Sequence, residues 1–211
     1  MVVVSVEGNC ECEKTSHNPK FIVLTGGPGA GKTAVLEMVK KYFCSHVKVL
    51  PEAASILFGG GFLREDTLVA KKSAQKLIYQ IQKELELIVA DEKCAGLILC
   101  DRGSIDGLAY WPDKEELFWE TVGSDLRTEM AVYEKVIHLR TPDLSQGYNK
   151  QNPIRLESNL EAKKIDERLL EIWSGHPNRI IIESTDNFME KLSQAFQEIK
   201  KEVPTCCLGK E

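Results

Sequence analysis

The chain has 211 residues, enough to bury a proper core in one α/β domain. Its composition, 43% hydrophobic and 28% charged, is that of a soluble globule. A net charge of −5 argues against a nucleic-acid groove, and no apolar run has the length needed to span a membrane.

Residues 1–19 are polar and mixed, ending at Asn18-Pro19, and read as a flexible tail. Its start, Met1 to Ser5, is too short for a signal h-region and Glu7 soon follows, so a cytoplasmic location is expected. Phe21-Ile22-Val23-Leu24 is a continuous apolar run, as in a buried parallel strand. Gly26-Gly27-Pro28-Gly29-Ala30-Gly31-Lys32-Thr33 follows, with the G-x-x-x-x-G-K-T spacing of a phosphate-cradling P-loop. Val35, Leu36, Val39, Tyr42 and Phe43 then recur at helical spacing. The glycines let the backbone wrap a phosphate without Cβ clashes. The wrapped N–H groups and the helix N-terminus favour an anion. Lys32 reaches the terminal phosphates and the Thr33 hydroxyl ligates Mg²⁺ in such a loop.

Val47 to Leu50 predicts a second strand, ended by Pro51-Glu52, and Gly59-Gly60-Gly61 marks a turn. A long helix is expected from Asp66, a candidate N-cap, to about Cys94. Ala74, Leu77, Ile78, Ile81, Leu85 and Ile88 form its inward stripe. Leu97 to Cys100 is the third strand and runs into Asp101-Arg102-Gly103. Residues 104–133 read as broken helix whose aromatics, Tyr110-Trp111 and Phe118-Trp119, favour the core. Val136 to Leu139 is the fourth strand, with His138 as a packed strand residue. Residues 140–158 lose all periodicity and read as a lid carrying Arg140, Lys150 and Arg155. A helix from Leu160 to Trp173, a strand at Ile180 to Ile182 and a last helix from about Asp186 complete the domain. In that last helix Phe188, Leu192, Phe196 and Ile199 face inward. The domain spans 20–203, and 204–211 is a C-terminal tail. The expected architecture is an α/β three-layer sandwich around a five-stranded parallel sheet.

Of the seven cysteines, Cys44, Cys94 and Cys100 read as small core residues. Cys10, Cys12, Cys206 and Cys207 lie in the polar ends and read as free thiols, since their spacing fits none of the usual zinc frames.

In a parallel sheet the ligand sits beyond the carboxyl ends of the strands. That gathers the P-loop, Glu52, Asp101, Arg102, Arg140 and Glu183-Ser184-Thr185. Asp101 suits a carboxylate holding Mg²⁺ with Thr33, or a turn aspartate. Arg102 suits a forked donor to transferring phosphate oxygens, or a surface ion pair. Glu52 suits an acid that accepts the proton of an attacking hydroxyl, or a helix N-terminal acid. Asp101 is followed by Arg, so the Asp-Glu pair of motor ATPases is missing, as is the Asp-x-x-Gly of switch GTPases. Asn149-Lys150-Gln151-Asn152 lacks the aspartate that reads guanine.

The P-loop, Pro51-Glu52-Ala53-Ala54, Asp101-Arg102-Gly103 with Asp106 and Ala109-Tyr110, and Tyr148-Asn149-Lys150 through Arg155 resemble the NadR-like AAA-domain family. That family takes in the nicotinamide-riboside-kinase domain of NadR and the nucleotide-binding domain of the TRPL translocation-defect protein. The Asp-Arg-Gly and lid are also similar to those of deoxynucleoside and thymidylate kinases. The resemblance implies a P-loop fold over about residues 20–200, with Mg²⁺ and ATP or GTP as co-substrate and a nucleoside-like acceptor. It implies that Glu52 contacts the acceptor hydroxyl, with Arg102 beside it and Arg155 as a lid arginine. NadR joins its kinase domain to a nucleotidyltransferase, for which this sequence has no room. Two functions stay open at this stage, a small-molecule kinase and a nucleotide-binding regulator of trafficking type; a simple NTPase is the third.

Overall fold

The expected apolar runs form five strands of one parallel sheet. They are β1 (Lys20–Thr25), β2 (Val47–Leu50), β3 (Leu97–Asp101), β4 (Lys135–Leu139) and β5 (Arg179–Ile182), in the order β2-β3-β1-β4-β5. The computed structural model describes residues 16–142, 159–185 and 187–207, apart from the side chains of Asn159 and Cys206. The helices are α1 (Lys32–Tyr42), α2 (Ala53–Gly59), α3 (Leu68–Glu92), α4 (Glu115–Val122), α5 (Leu126–Met130), α6 (Asn159–Ile172) and α7 (Phe188–Lys200). Short 3₁₀ helices lie at Ser104–Tyr110, Trp173–Gly175 and Thr205–Cys207.

Period-two alternation sends the strand residues to two faces. Ile22, Leu24, Leu97, Leu99, Ile137 and Leu139 pack against Val35, Leu36 and Val39 of α1 and Phe196 and Ile199 of α7. Val23, Ile98, Cys100 and Val136 pack against Tyr79 and Val89 of α3, Phe118 of α4 and Trp173. Both faces are covered, which is why the strands read as unbroken apolar runs. Each fully buried Leu, Ile or Phe contributes about 1.5–3 kcal/mol.

The neighbouring strands β1 and β3 pair in register from Lys20↔Leu97 to Leu24↔Asp101. After β1 the chain turns to the α1 face; after β3 it turns to the opposite face. Loops that part in this way open a crevice at the carboxyl ends of the strands, where open α/β sheets bind ligands.

Four expectations need correction. The long helix starts one residue later, because Thr67 and not Asp66 is the N-cap; its hydroxyl accepts the Ala70 N–H at 3.2 Å. Its buried face is Ala74, Gln75, Tyr79, Gln82, Glu86 and Val89, while Ile88 is 53% exposed. One oxygen of Glu86 is partnered, which lowers the cost of burying it, while its Oε2 has no hydrogen-bond partner. Glu86 accepts from the Tyr133 hydroxyl at 2.6 Å and from Gln82 Nε2 at 2.8 Å. Cys94 is exposed in the turn after α3, so only Cys44 and Cys100 of the expected three are core residues. Cys207, expected as a thiol in a polar tail, is buried in the last 3₁₀ helix. Cys10 and Cys12 lie outside the described residues.

Candidate active site

The P-loop leaves the buried end of β1 and enters α1 through backbone that only glycine adopts cheaply. Gly26 has φ 137° and Gly31 has φ 98°. A Cβ on Gly26 would lie 2.1 Å from the Leu139 carbonyl oxygen, so the loop also needs glycine to pass β4. At Gly31 a Cβ would meet the Phe188 ring at 2.8 Å. Phe188, expected to face the core, is instead 47% exposed, and the ring against Gly31 explains its position.

Lys32 is buried, and its Nζ donates to the carbonyls of Gly26 at 2.8 Å and Gly27 at 3.3 Å. Burial, helped by repulsion from Arg102, lowers its ammonium to about 8. The lysine is thus a cation short of anions, held over the loop where phosphate binds in such sites.

Two positive groups meet on one carbonyl. Arg102 Nη1 lies 3.4 Å from the Gly26 oxygen that also accepts from Lys32. Arg102 has φ 75°, a left-handed backbone that costs a residue with a Cβ about 1–2 kcal/mol. Its side chain is fixed by carboxylates on both sides. Nε donates to Glu52 at 2.6 Å and Nη1 faces Asp106 at 3.4 Å, while the guanidinium lies over the Tyr110 ring. Glu52 is the N-cap of α2 but makes no side-chain cap bond; its carboxylate goes to Arg102 and to the Ser55 hydroxyl. Glu52 is thus a helix N-terminal acid by position, and its carboxylate is in addition bonded to Arg102. Burial raises Glu52, yet Arg102, Ser55 and Lys32 outweigh it and hold the carboxyl at about 2.

Asp101 closes β3, and its Oδ1 is buried with no hydrogen-bond partner. Burial raises its pKa against the pull of Lys32. An orphaned carboxylate oxygen beside two cations is what a hydrated divalent ion would satisfy. Thr33, in the first turn of α1, is exposed and offers its hydroxyl. The donor set is all oxygen, as Mg²⁺ requires, so these residues fit the metal.

Two buried aspartates carry this geometry: Asp106, which the resemblance included without a role, and Asp166, to which no motif in the sequence pointed. Asp106 accepts from the Thr25 hydroxyl at 2.6 Å and from Trp173 Nε1 at 2.8 Å, which fixes it beside Arg102. Asp166 of α6 accepts the Gly27 N–H at 3.0 Å and the Thr141 N–H at 3.2 Å, and meets His138 Nε2 at 2.9 Å. Burial raises Asp166, but His138 and the two N–H donors hold it below the usual carboxylate range. The available signal was position: Asp166 lies four residues after Ala162 and three before Leu169, on the apolar stripe of its helix. A further pair of buried acids braces the loop after Arg102. Glu129 accepts from the Ser104 hydroxyl at 2.8 Å, and Tyr133, held by Glu86, accepts the Ser104 N–H at 2.8 Å.

Glu52, Asp101, Arg102 and Lys32 therefore meet at the β1–β3 crevice. Arg140 goes elsewhere: it pairs with Asp166 at 2.9 Å and with Glu167. Arg155 and Lys150, with most of the expected lid, lie outside the described residues.

Residues 21–191 match the family model described as AAA domain. A thymidylate kinase of Clostridium novyi (strain NT) is 22% identical, over 85% of this chain and 96% of that protein. The solved thymidylate kinase from Candida albicans superposes with a TM-score of 0.63 at 16% identity, over 89% of this chain and 93% of its own. The NadR protein, solved with NAD and AMP-PNP, superposes with a TM-score of 0.60 at 13% identity, over 88% of this chain. This chain spans 49% of that NadR chain. These likenesses bear out the P-loop sandwich. They do not set a NadR-like placement apart from a thymidylate-kinase-like one. No helix among the described residues is long and apolar enough to cross a membrane.

Proposed function

The chain belongs to the AAA domain family, and from that premise we propose that it is a Mg²⁺-dependent kinase moving the γ-phosphoryl of ATP or GTP to a hydroxyl of a nucleoside-like acceptor. One observation carries the reading. The Glu52–Arg102–Asp106 chain is bonded to the same Gly26 carbonyl as the P-loop lysine. A phosphotransferase uses such an acid and guanidinium to hold an acceptor; an NTPase can use the same pair to place water, and the likeness to a thymidylate kinase favours the acceptor. The likeness to a thymidylate kinase supports a nucleoside-type acceptor.

In this account the backbone of Gly26, Gly27, Pro28, Gly29, Ala30 and Gly31 cradles the phosphates. Lys32 leaves the carbonyls of Gly26 and Gly27 for the terminal phosphate oxygens, which restore its full charge. Thr33 and Asp101 would hold Mg²⁺. The ion, when bound, neutralises charge on the phosphate oxygens. Arg102, aimed by Glu52 and Asp106, stabilises the transferring group, and Arg155 of the lid adds a second guanidinium. Glu52 orients the acceptor hydroxyl. Held at about 2, it is too weak a base to take the proton early. The loose transition state of phosphoryl transfer asks for positioning more than for a base.

The test is a panel of nucleosides and related hydroxyl metabolites incubated with Mg-ATP and Mg-GTP, scored for phosphorylated product. Turnover with one acceptor, lost in Arg102→Ala, supports the kinase. Tight nucleotide binding with no phosphorylated product across the panel would overturn it in favour of a nucleotide-dependent regulator of trafficking type.

A further inference from the structure

The opposite edge of the sheet holds a second cluster of chemically active side chains. Cys44 follows α1, His46 precedes β2, and Cys207 ends the last 3₁₀ helix. Their ligating atoms all lie within 4.8 Å of one another. Cys207 Sγ is 3.5 Å from His46 Nδ1, although the two residues are 161 apart in sequence. Cys44 is 7% and Cys207 8% exposed, and His46 is half-buried.

We infer that Cys44, His46 and Cys207 form a zinc site that clips the C-terminal segment to the turn between α1 and β2. Two thiolates and an imidazole are the ligand chemistry of zinc. In a tetrahedron with Zn–S near 2.3 Å and Zn–N near 2.0–2.1 Å, a sulfur and a nitrogen lie about 3.5 Å apart. The Cys207–His46 distance already matches that edge. Three protein ligands leave the fourth corner for a water.

The backbone is built to bring these groups together. The His46 carbonyl accepts the N–H groups of Gly96 at 2.8 Å and Leu97 at 3.1 Å, which locks it to the start of β3. The Val47 N–H donates to the Cys44 carbonyl at 3.0 Å and closes the turn. On the other side, the Cys207 N–H donates to Pro204 at 2.8 Å. Gly96 admits that segment: a Cβ there would lie 2.5 Å from Pro204 Cγ. The His17 ring packs on the His46 ring with centroids 4.5 Å apart, which limits rotation of the imidazole. One buried cysteine would be an ordinary small core residue. Two of them converging with a histidine from distant parts of the chain make a ligand set.

Zinc here would brace the fold, with a water at the corner where four-ligand structural sites have a fourth side chain. The site lies where β1, β2 and β3 begin, whereas the P-loop lies where they end. It closes a loop of most of the chain, and its binding free energy adds to folding. In the sequence Cys44 reads as a core residue and Cys207 as a tail thiol, and no ligand spacing links either to His46. The inference does not depend on the proposed kinase activity.

The test uses the full chain, stripped with a chelator under reducing conditions and titrated with Zn²⁺ or Co²⁺. The expected result is one equivalent of zinc per chain, a higher melting temperature with zinc, and a Co²⁺ spectrum with thiolate charge-transfer and tetrahedral d–d bands. Cys207→Ser and His46→Ala should each lose affinity by on the order of 100-fold. A variant with Cys10, Cys12, Cys94 and Cys206 all replaced by Ser should keep the full equivalent. His46→Ala keeps both core thiols, so it carries the test if Cys207→Ser fails to fold. The inference is overturned by no zinc uptake, by uptake unchanged in His46→Ala, or by uptake lost in the fourfold Ser variant. It is also overturned if the reduced chain takes no metal and peptide mapping of the untreated chain finds a Cys44–Cys207 disulfide instead.

Discussion

Two aspartates flank the P-loop, one toward each half of the sheet, and they are in opposite states. Asp166, on the β4 side, has both oxygens satisfied: by the N–H groups of Gly27 and Thr141, by His138 and by Arg140. Asp101, on the β3 side, keeps one buried oxygen without a partner. A buried polar atom left unpaired costs about 1–3 kcal/mol; Asp101 Oδ1 shares that state with Glu86 Oε2 and His138 Nδ1, and of the three it alone is a carboxylate oxygen at the end of a strand beside the P-loop. The β4 side therefore shapes the loop, and the β3 side is left open for chemistry. Burial pushes Asp101 up, while hydrogen bonds hold Asp166 down.

Mutating each side should break this contrast in a different way. The largest effect is expected from Asp166→Ala. It strips Arg140 and the Gly27 N–H of a buried partner and should cost about 3–5 kcal/mol of stability in urea unfolding. Next comes Lys32→Ala, which should lower kcat/KM for phosphoryl transfer by roughly 10²–10³, or about 3–4 kcal/mol, with little loss of stability. Asp101→Asn should do the reverse of Asp166→Ala. It removes a buried charge, so the urea midpoint should hold or rise, while Mg²⁺-dependent nucleotide affinity falls on the order of tenfold or more in calorimetry. Loss of stability in Asp101→Asn as large as in Asp166→Ala would erase the distinction between the two sides.

The smallest effect is a pH dependence. Glu52 titrates at about 2 in the folded chain against an ordinary 4.5. Protons therefore favour the unfolded chain in that window. The stability Glu52 contributes is complete above its ordinary value and is lost as pH falls toward about 2. Acid unfolding curves of the wild type and Glu52→Gln should differ near neutrality and converge at the acid end; parallel curves would remove Arg102 from its assigned contact.

The contrast also separates what the sequence announces from what it hides. The P-loop, the five strands and the acid, aspartate and arginine that end β2 and β3 are contiguous with apolar runs, so local pattern points to them. Asp106 and Asp166 are not. Each is a single acid within a helix, and such acids usually face water. Only contacts across the sheet, to Thr25 and Trp173 for one and to Gly27 and His138 for the other, give them a role. The stripe of α3 is hidden for the same reason. Glu86 is buried with the Tyr133 hydroxyl as its donor and Gln82 beside it donates to Glu86, an arrangement set by a residue far along the chain. Arg140 looked like part of a mobile lid because it begins an irregular stretch, but Asp166 and Glu167 hold it at the end of β4.

The most direct test of the central claim is a crystal structure of the chain with Mg²⁺ and a non-hydrolysable triphosphate. The account predicts Lys32 Nζ moved from the Gly26 carbonyl onto the terminal phosphate, Mg²⁺ about 2.0–2.1 Å from the Thr33 hydroxyl, and the γ-phosphate facing Glu52 and Arg102. Lys32 still on its carbonyls, with the phosphates turned away from Glu52 and Arg102, would contradict it.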